Sequence, residues 1–520
     1  MENQRNQEQL SEFRVDKSQK AALQVTRAGY TDDSQTTDDP TSLSSVTINS
    51  GIPSPSPSTL AVPLLSVYKA TRDVLPPVRE VIEGCRVFWT SCFQVGFFSK
   101  RLFLERLSQD MEGIPLFLVL GVLSVSCRFT PCLIKRLVLD ALYDPSLDNI
   151  QGFFMLALAQ WGDGDKTRSS IHMGIALRMA GILRLHREET YDLPPDATTD
   201  EIVRSEMARR TFWVLETQDN LHSSHASPAP FGPDDITALL PCGESDFSFG
   251  RIPVARAAMP GTKAAQQRPE LTALPSRSLF ATLLQAHSLW GTVARKARPA
   301  DFCSDGHPPW DERSNFAAMC RTLQEWERGI PENHLWSVWN MRGHSAEQVH
   351  LAYLSIVIVT RLTNVVIRRI YLEDMITTIT KGLSDGAPPE FWVTVADELF
   401  ENVQGLLEPI NFFMSNRAEN EGFSAMLLFS LYVSGTLSLQ LLKTPSLCPR
   451  LASTAQGNLT RALEMLVEWQ NTWPLASRWL VLLRKAAASV HHGNPRTEVA
   501  KSGDAERGCG DNREEGREKQ

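Results

Sequence analysis

The chain of 520 residues contains no Cys-x-x-Cys pair, and no cysteine precedes Cys85. That excludes, within these residues, the closely spaced thiolates that build a structural zinc centre. The nine cysteines stand at 85, 92, 127, 132, 242, 303, 320, 448 and 509. Their number is odd and their spacing irregular, so no disulfide framework is expected and a reducing compartment fits. Cationic surplus is also missing: 52 Lys and Arg face 60 Asp and Glu, a net charge of −8. Such a balance does not supply a phosphate-tracking surface. The polar start, MENQRNQEQLSEFRVDKSQK, has no apolar signal core. The candidate for a membrane span, residues 114–129, holds 16 residues, with Pro115 near its start and Arg128 near its end. A span needs about twenty, so a buried core helix is expected, and no membrane association. No β-alternation, heptad pattern or internal repeat is present.

What is present is helical. Hydrophobic residues make up 42% of the chain, enough for a large core. Residues 1–62 form a polar stretch with five basic and eight acidic residues, including TDDSQTTDDP and the Ser/Pro run GIPSPSPST. It cannot bury enough apolar surface to offset its chain entropy, and is expected to be a disordered tail. Residues 63–487 carry helical pattern, interrupted by a stretch at 251–275 that is poor in large apolar side chains and reads as a loop or linker. Residues 488–520 mix both charge signs and are expected to be a second disordered tail.

Four segments carry the information. In the first, 151–161 reads as an apolar helix, and Trp161-Gly-Asp-Gly-Asp-Lys-Thr as a loop. A second helix is then expected from Ser169 or Ser170, both good caps. On it Ile171, Ile175, Met179 and Ile182 recur at helical spacing and make one apolar stripe. Gly174 and Gly181, together with the helix-breaking cost of glycine, suggest close packing against another helix. In the second, Thr198 and Glu201 have capping-box spacing. Glu206 and Arg210 stand at i,i+4 and predict a surface pair worth a few tenths of a kcal/mol. Phe212, Trp213, Val214 and Leu215 occupy more than one face, so this helix is expected to be buried on several sides. In the third, 228–250, Asp234 and Asp235 open one helical turn and Pro241 stops it. In the fourth, Pro474 suits a helix start, with Trp473, Trp479 and Leu483 packing inward.

The ordered text W…G…S…HMGIALRMAG…L…LHRE, then E…RRTFW…D, then P…DDI…LP…E…F…FG resembles the fungal-specific transcription factor domain. This is the middle homology region that lies C-terminal to the DNA-binding cluster in zinc-cluster regulators. The likeness runs over about 90–485 and rests on Gly174, Arg178, His186, Arg187, Glu188, Glu206, Arg209, Arg210, Phe212, Trp213, Asp219, Asp235, Pro241, Gly250, Trp473, Pro474, Arg478 and Trp479. These motif residues are expected to be structural. Two departures stand out: Asn220 where the family often has Arg, and Ala208 where a third basic residue is usual. The larger departure is the missing set of six cysteines that such regulators use for two zinc ions. The chain as it stands is therefore expected to carry no stoichiometric zinc and to bind no specific DNA alone.

Other chemistry is weaker. GDGDKT at 162–167 lacks the order of a phosphate loop and follows a helix, so an interhelical loop is expected. His186-Arg-Glu188 lacks the Pro-Cys-x-x-Cys of zinc deaminases. His172 and His186 lack ligands at metal spacing, and His186 is expected to interact with a helix C-terminus. Asp219 with His222-Ser-Ser-His225 lacks a nucleophile elbow and reads as a polar loop. Arg209 and Arg210 are expected to pair with Glu206, Asp219, Asp234 or Asp235 rather than with phosphate.

The expectation is an all-α fold, a large irregular bundle of packed antiparallel helices with disordered N- and C-terminal tails. The resemblance implies a nuclear transcription regulator, of a metabolic or secondary-metabolite gene set, that is not an enzyme and uses no cofactor. Its implied partners are other regulators or a second copy, a small-molecule effector, and DNA only indirectly or through a zinc cluster missing here. Two alternatives stay open: a co-regulator or truncated gene product acting by protein contact, and a helical enzyme of unknown reaction.

Overall fold

A computed structural model gives the structure, which describes Leu75 and residues 77–92, 96–109, 114–126, 128–129, 144–222, 228–296, 305–382, 386–388, 390–418 and 421–491. The expected tail at 1–62, most of that at 488–520, Cys127, Cys132, Cys303, Cys509 and the Ser-Ser-His at 223–225 lie outside these residues.

Among the described residues there are seventeen α-helices and no strand. They are α1 (Val78–Ser91), α2 (Lys100–Gln109), α3 (Leu116–Ser126), α4 (Leu147–Gly162), α5 (Lys166–Ile182), α6 (Thr199–His222), α7 (Glu244–Phe249), α8 (Lys263–Gln267), α9 (Leu279–Arg295), α10 (Asn315–Arg328), α11 (Val338–Ala346), α12 (His350–Arg369), α13 (Leu372–Lys381), α14 (Phe391–Asn416), α15 (Ala425–Lys443), α16 (Ala455–Trp469) and α17 (Leu475–His491). Side-chain caps start many of them: Ser146, Ser278, Ser314 and Ser424 each accept a free N–H of the first turn. At α6 the capping box forms as predicted. The Thr198 N–H donates to Glu201 Oε2 at 2.7 Å, and the Glu201 N–H donates to Thr198 Oγ1 at 3.3 Å.

Neighbouring helices pack in sequence, α3 on α4, α4 on α5 and α15 on α16, while α9 bridges α6 to α12, and α12 meets α14. Buried side chains from Val81 to Leu483 form one continuous core. Within the 114–129 run, Leu116–Ser126 is α3, buried along most of its length. By length and composition alone α12 and α15 could cross a membrane; their apolar windows are 83% and 78% buried among other helices.

Several sequence expectations are corrected. Helix α5 starts at Lys166, not Ser169, because the Asp165 carboxylate accepts the Arg168 N–H at 3.1 Å. The loop before it shrinks to 163–165, with Gly164 at φ +89° making the turn. The stripe holds only in its middle: Met179 is buried and Ile175 half-buried, but Ile171 and Ile182 are 57% and 56% exposed, and α5 also buries Met173, Ala176, Leu177 and Ala180. Its apolar residues lie on two faces, and periodicity alone does not choose between them. Gly174 has nothing within 4 Å of a would-be Cβ. The tight helix crossing is instead at Gly121 and Gly152, whose Cβ atoms would stand 2.9 Å from Met155 Cβ and 2.5 Å from the Phe117 ring. The 251–275 stretch is not a bare linker. It contains α8 and a 3₁₀ turn, Pro269–Ala273, and buries Ala258, Ala264, Ala265 and Leu271 together. Small side chains do the packing there, which a search for large apolar residues misses. Helix α17 continues past 487 to His491.

Candidate regulatory site

Helix α6 carries charged residues into the core. Arg210 is wholly buried, and Arg209 and Glu206 nearly so. The surface pair expected of Glu206 and Arg210 is thus a buried one, with Arg210 Nε 3.3 Å from Glu206 Oε1. Arg210 also donates to Glu244 Oε1 at 2.5 Å, to the Gly96 carbonyl at 3.1 Å and to the Cys242 carbonyl at 2.8 Å. Its guanidinium lies 4.0 Å from the Phe247 ring centroid and 5.0 Å from that of Phe280. Arg209 grips Glu188 through two bonds, 2.6 and 2.9 Å, and covers the Tyr191 ring at 4.0 Å. Arg256 adds a third cation, 2.7 Å from Glu206 Oε2.

This network clamps the extended segment 239–244 onto α6. The Leu239 carbonyl accepts from Arg209 at 3.0 Å and from Trp213 Nε1 at 2.8 Å, while its N–H donates to Glu188 at 2.7 Å. The Cys242 N–H donates to Glu206 at 2.8 Å. Buried Pro241 accepts from Ser278 through its carbonyl. Beyond the segment, Gly250 ends α7 at φ +59°, where a Cβ would stand 2.2 Å from Thr199 Cγ2. Phe212 and Trp213 are fully buried edge-to-face neighbours.

Electrostatics decides the protonation states. Burial alone pushes the Glu206 carboxyl up, but Arg256, Arg210 and Arg209 outweigh it and hold it below its ordinary value. Burial pulls the Arg210 guanidinium down, and Glu244 with Glu206 overcomes that pull. Glu206 and Arg210 are therefore charged and paired, a state that is costly to break from one side.

The remaining motif residues divide. Arg187 pairs with Asp235 at 3.3 Å on the surface, in place of the expected contact of Asp234 or Asp235 with Arg209 or Arg210. His186 stacks on Phe231, 5.3 Å between centroids, and burial followed by Arg187 lowers its pKa. The ring expected to interact with a helix C-terminus is thus found stacked on an aromatic neighbour. The one-turn helix at 233–235 forms as a 3₁₀ turn that ends at Ile236, well before Pro241. Trp473 is buried beneath Arg128 and against Phe129; Trp479 packs on Phe429 and Tyr432; Pro474 and Arg478 are exposed. Gly174 and Arg178 face outward on α5.

A second polar cluster lies at the far end of α6. His222, expected in a polar loop, is instead the half-buried last residue of α6 and stacks on Trp161 at 4.4 Å. Gln218 Nε2 stands 3.0 Å from its Nε2 and donates to the unprotonated nitrogen. Burial, then Lys166, pushes His222 down to about 3, and burial, then His222, does the same to His287. With Cys92, Gln218, Ser355 and Trp473 these rings line a cavity of about 30 Å³. Nearby, burial raises Glu216 to about 7 and Asp219 to about 6. Asn220, which replaces the family's frequent Arg, donates to Glu216 at 2.9 Å and fits tightly against Gly291. Sequence reasoning missed Arg256 and His287, which carry no motif. Glu244 stood in the matched text without an assigned partner.

Among the described residues no group of three or more His, Cys, Asp or Glu is placed to hold a metal ion. His172 is taken up by Gln160 at 2.7 Å.

The fold and its charged clamp define an all-helical domain. Residues 86–326 match the model of the fungal specific transcription factor domain. The chain is 25% identical to a transcriptional regulatory protein of Schizosaccharomyces pombe, over 62% of this chain and 35% of that protein. It is 23% identical to a Zn(2)-C6 fungal-type transcription factor of Fusarium oxysporum, over 65% and 36%. A further Schizosaccharomyces pombe transcriptional regulatory protein is 24% identical over 52% and 43%. The chain thus spans well under half the length of these relatives. No solved structure matches.

Proposed function

We propose that the chain is the regulatory part of a nuclear transcription regulator, and that it controls a metabolic or secondary-metabolite gene set through contacts made by its helical domain. The observation that carries this reading is the ordered family motif over 86–326, realised as one buried clamp around Arg209 and Arg210. The clamp's charges pair with each other, so they are not poised as catalytic acids or bases, and the domain is read as non-enzymatic. DNA contact then runs through a partner, or through a zinc cluster outside these 520 residues.

Control by a partner is favoured over control by an effector held in the core beside His222 and His287. The histidine-lined cavity of about 30 Å³ accommodates an ordered water, not a metabolite. The test is to fuse the chain to a heterologous DNA-binding domain in a fungal reporter strain, with fluorescence localisation and transcript profiling of a deletion strain. The expected result is nuclear signal, an altered reporter and a coherent set of changed genes. A cytosolic protein with an unchanged reporter would sink the reading. The purified chain is expected to carry no stoichiometric zinc by elemental analysis.

A further inference from the structure

Helix α5 has an outer face that the fold does not use. Ile171, Gly174, Ile175, Arg178 and Ile182 recur at helical spacing and so share that face. Ile171 and Ile182 are more than half exposed, Ile175 is half-buried, and Arg178 is exposed. In the middle, Gly174 leaves open space where a side chain would stand, so another backbone can approach closely. A glycine inside a helix costs about 1 kcal/mol relative to alanine, and among the described residues no neighbour approaches Gly174 to repay that cost. From Ile171 to Ile182 the stripe is about 16 Å long at 1.5 Å per residue, the length of three helical turns.

Cations concentrate along the stripe, and acids stand at its two ends, where Asp165 pairs with Arg168 and Asp235 with Arg187. Between Lys166 and Arg187 the chain has five Lys and Arg and no Asp or Glu, although it is net acidic as a whole. Arg178 and Arg184 make no ion pair among the described residues. Arg184 holds a left-handed conformation at φ +56°, a strained place for a non-glycine residue. The clamp site, by contrast, pairs every cation it contains.

We infer that the outer face of α5 is a docking surface for an acidic amphipathic helix of a partner protein. Three or four apolar residues of the partner at i, i+4, i+7 and i+11 would lie along the isoleucines and over Gly174, with flanking Asp or Glu against Arg178 and Arg184. A second copy of α5 is a poor occupant, because it brings Lys166, Arg168 and Arg178 against the same three cations. The chain's own acidic run, TDDSQTTDD at 31–39, has no large apolar side chain to fill the stripe. The inference rests on the partner-controlled reading above and names the surface.

The test uses the purified full chain and two labelled synthetic helical peptides with the same leucine stripe, one flanked by Glu and one by Lys, followed by fluorescence anisotropy. The Glu-flanked peptide is expected to bind. Ile171→Asp and Ile182→Asp are each expected to weaken binding by at least about tenfold while the melting temperature holds. Arg178→Glu is expected to weaken the Glu-flanked peptide and strengthen the Lys-flanked one. Equal binding of both peptides, no binding at millimolar concentration, or indifference to these substitutions would overturn the inference. So would sedimentation showing a dimer that Ile171→Asp dissociates. Face-dependent peptide binding by a chain that leaves the reporter unchanged would instead break the transcriptional reading and leave the docking surface standing.

Discussion

Helices α5 and α6 carry successive parts of one motif and meet opposite surroundings. On α6, Glu206, Arg209, Arg210, Phe212 and Trp213 are all buried, and each polar group among them has a named partner. On α5, Gly174 and Arg178 look outward, and the glycine has no neighbour to accommodate. A matched motif is thus not one kind of information. Where it is buried it records what the fold needs. Where it is exposed, the fold gives no reason for it, and the reason has to be sought in another molecule.

The contrast can be broken most forcefully at Arg210. Arg210→Ala leaves Glu206 and Glu244 without their shared cation and is expected to cost about 3–5 kcal/mol, read by denaturant unfolding. Trp213→Ala is expected to cost a similar ~3–5 kcal/mol through the cavity it leaves. If either variant kept wild-type stability and lost only regulatory output, α6 would be a contact surface and the contrast with α5 would vanish.

A smaller effect lies at the other end of α6. Burial lifts Glu216 to about 7 from 4.5, so the folded chain holds this proton more tightly than the unfolded one. Ionising it therefore costs stability, and its contribution improves as pH falls from about 7 towards 4.5. Glu216→Gln is expected to raise the melting temperature at pH 8 by a few degrees, on the scale of about 2–4 °C per kcal/mol, with the gain shrinking by pH 5. His222 and His287 work the other way. Lowered to about 3 from 6.5, they favour the folded state above pH 6.5, and that support drains away as pH falls below it. A melting profile of Glu216→Gln parallel to wild type across this range would refute the assignment.

The smallest effect sharpens the contrast on α5. Gly174→Ala meets no neighbour and is expected to stabilise the isolated chain by up to about 1 kcal/mol. A loss of stability there would mean that the face is covered from within.

Much of the fold was legible. The capping box at Thr198 and Glu201, and apolar residues on more than one face of α6, announced a helix buried on several sides. The helical text from 151 onward placed α4 and α5 with modest errors at their ends. Two things were not legible. Helix α5 has isoleucines on one side and alanines with methionines on the other. Which side turns inward depends on the close approach of α4, which a periodicity does not contain. The partners of Arg209 and Arg210 were also hidden. Glu188 and Glu244 stand 21 and 34 positions away, brought together only when 239–244 folds back across α6. Spacing rules see neighbours one turn apart, so they found Glu206 with Arg210 and placed it at the surface.

One contact of the continuous core bears on how the chain is made. The Gly422 N–H donates to Ser91 Oγ at 3.2 Å across 331 positions, and a Cβ at 422 would stand 2.3 Å from Ser91 Cβ. During synthesis α1 emerges early, yet its seat is completed only when residue 422 leaves the ribosome. At about 5–20 residues per second that is roughly 15–65 s of waiting with an apolar face uncovered. The nascent N-terminal half is thus expected to be a client of holding chaperones, and a fragment ending at 326 is expected to be retained by them rather than released folded.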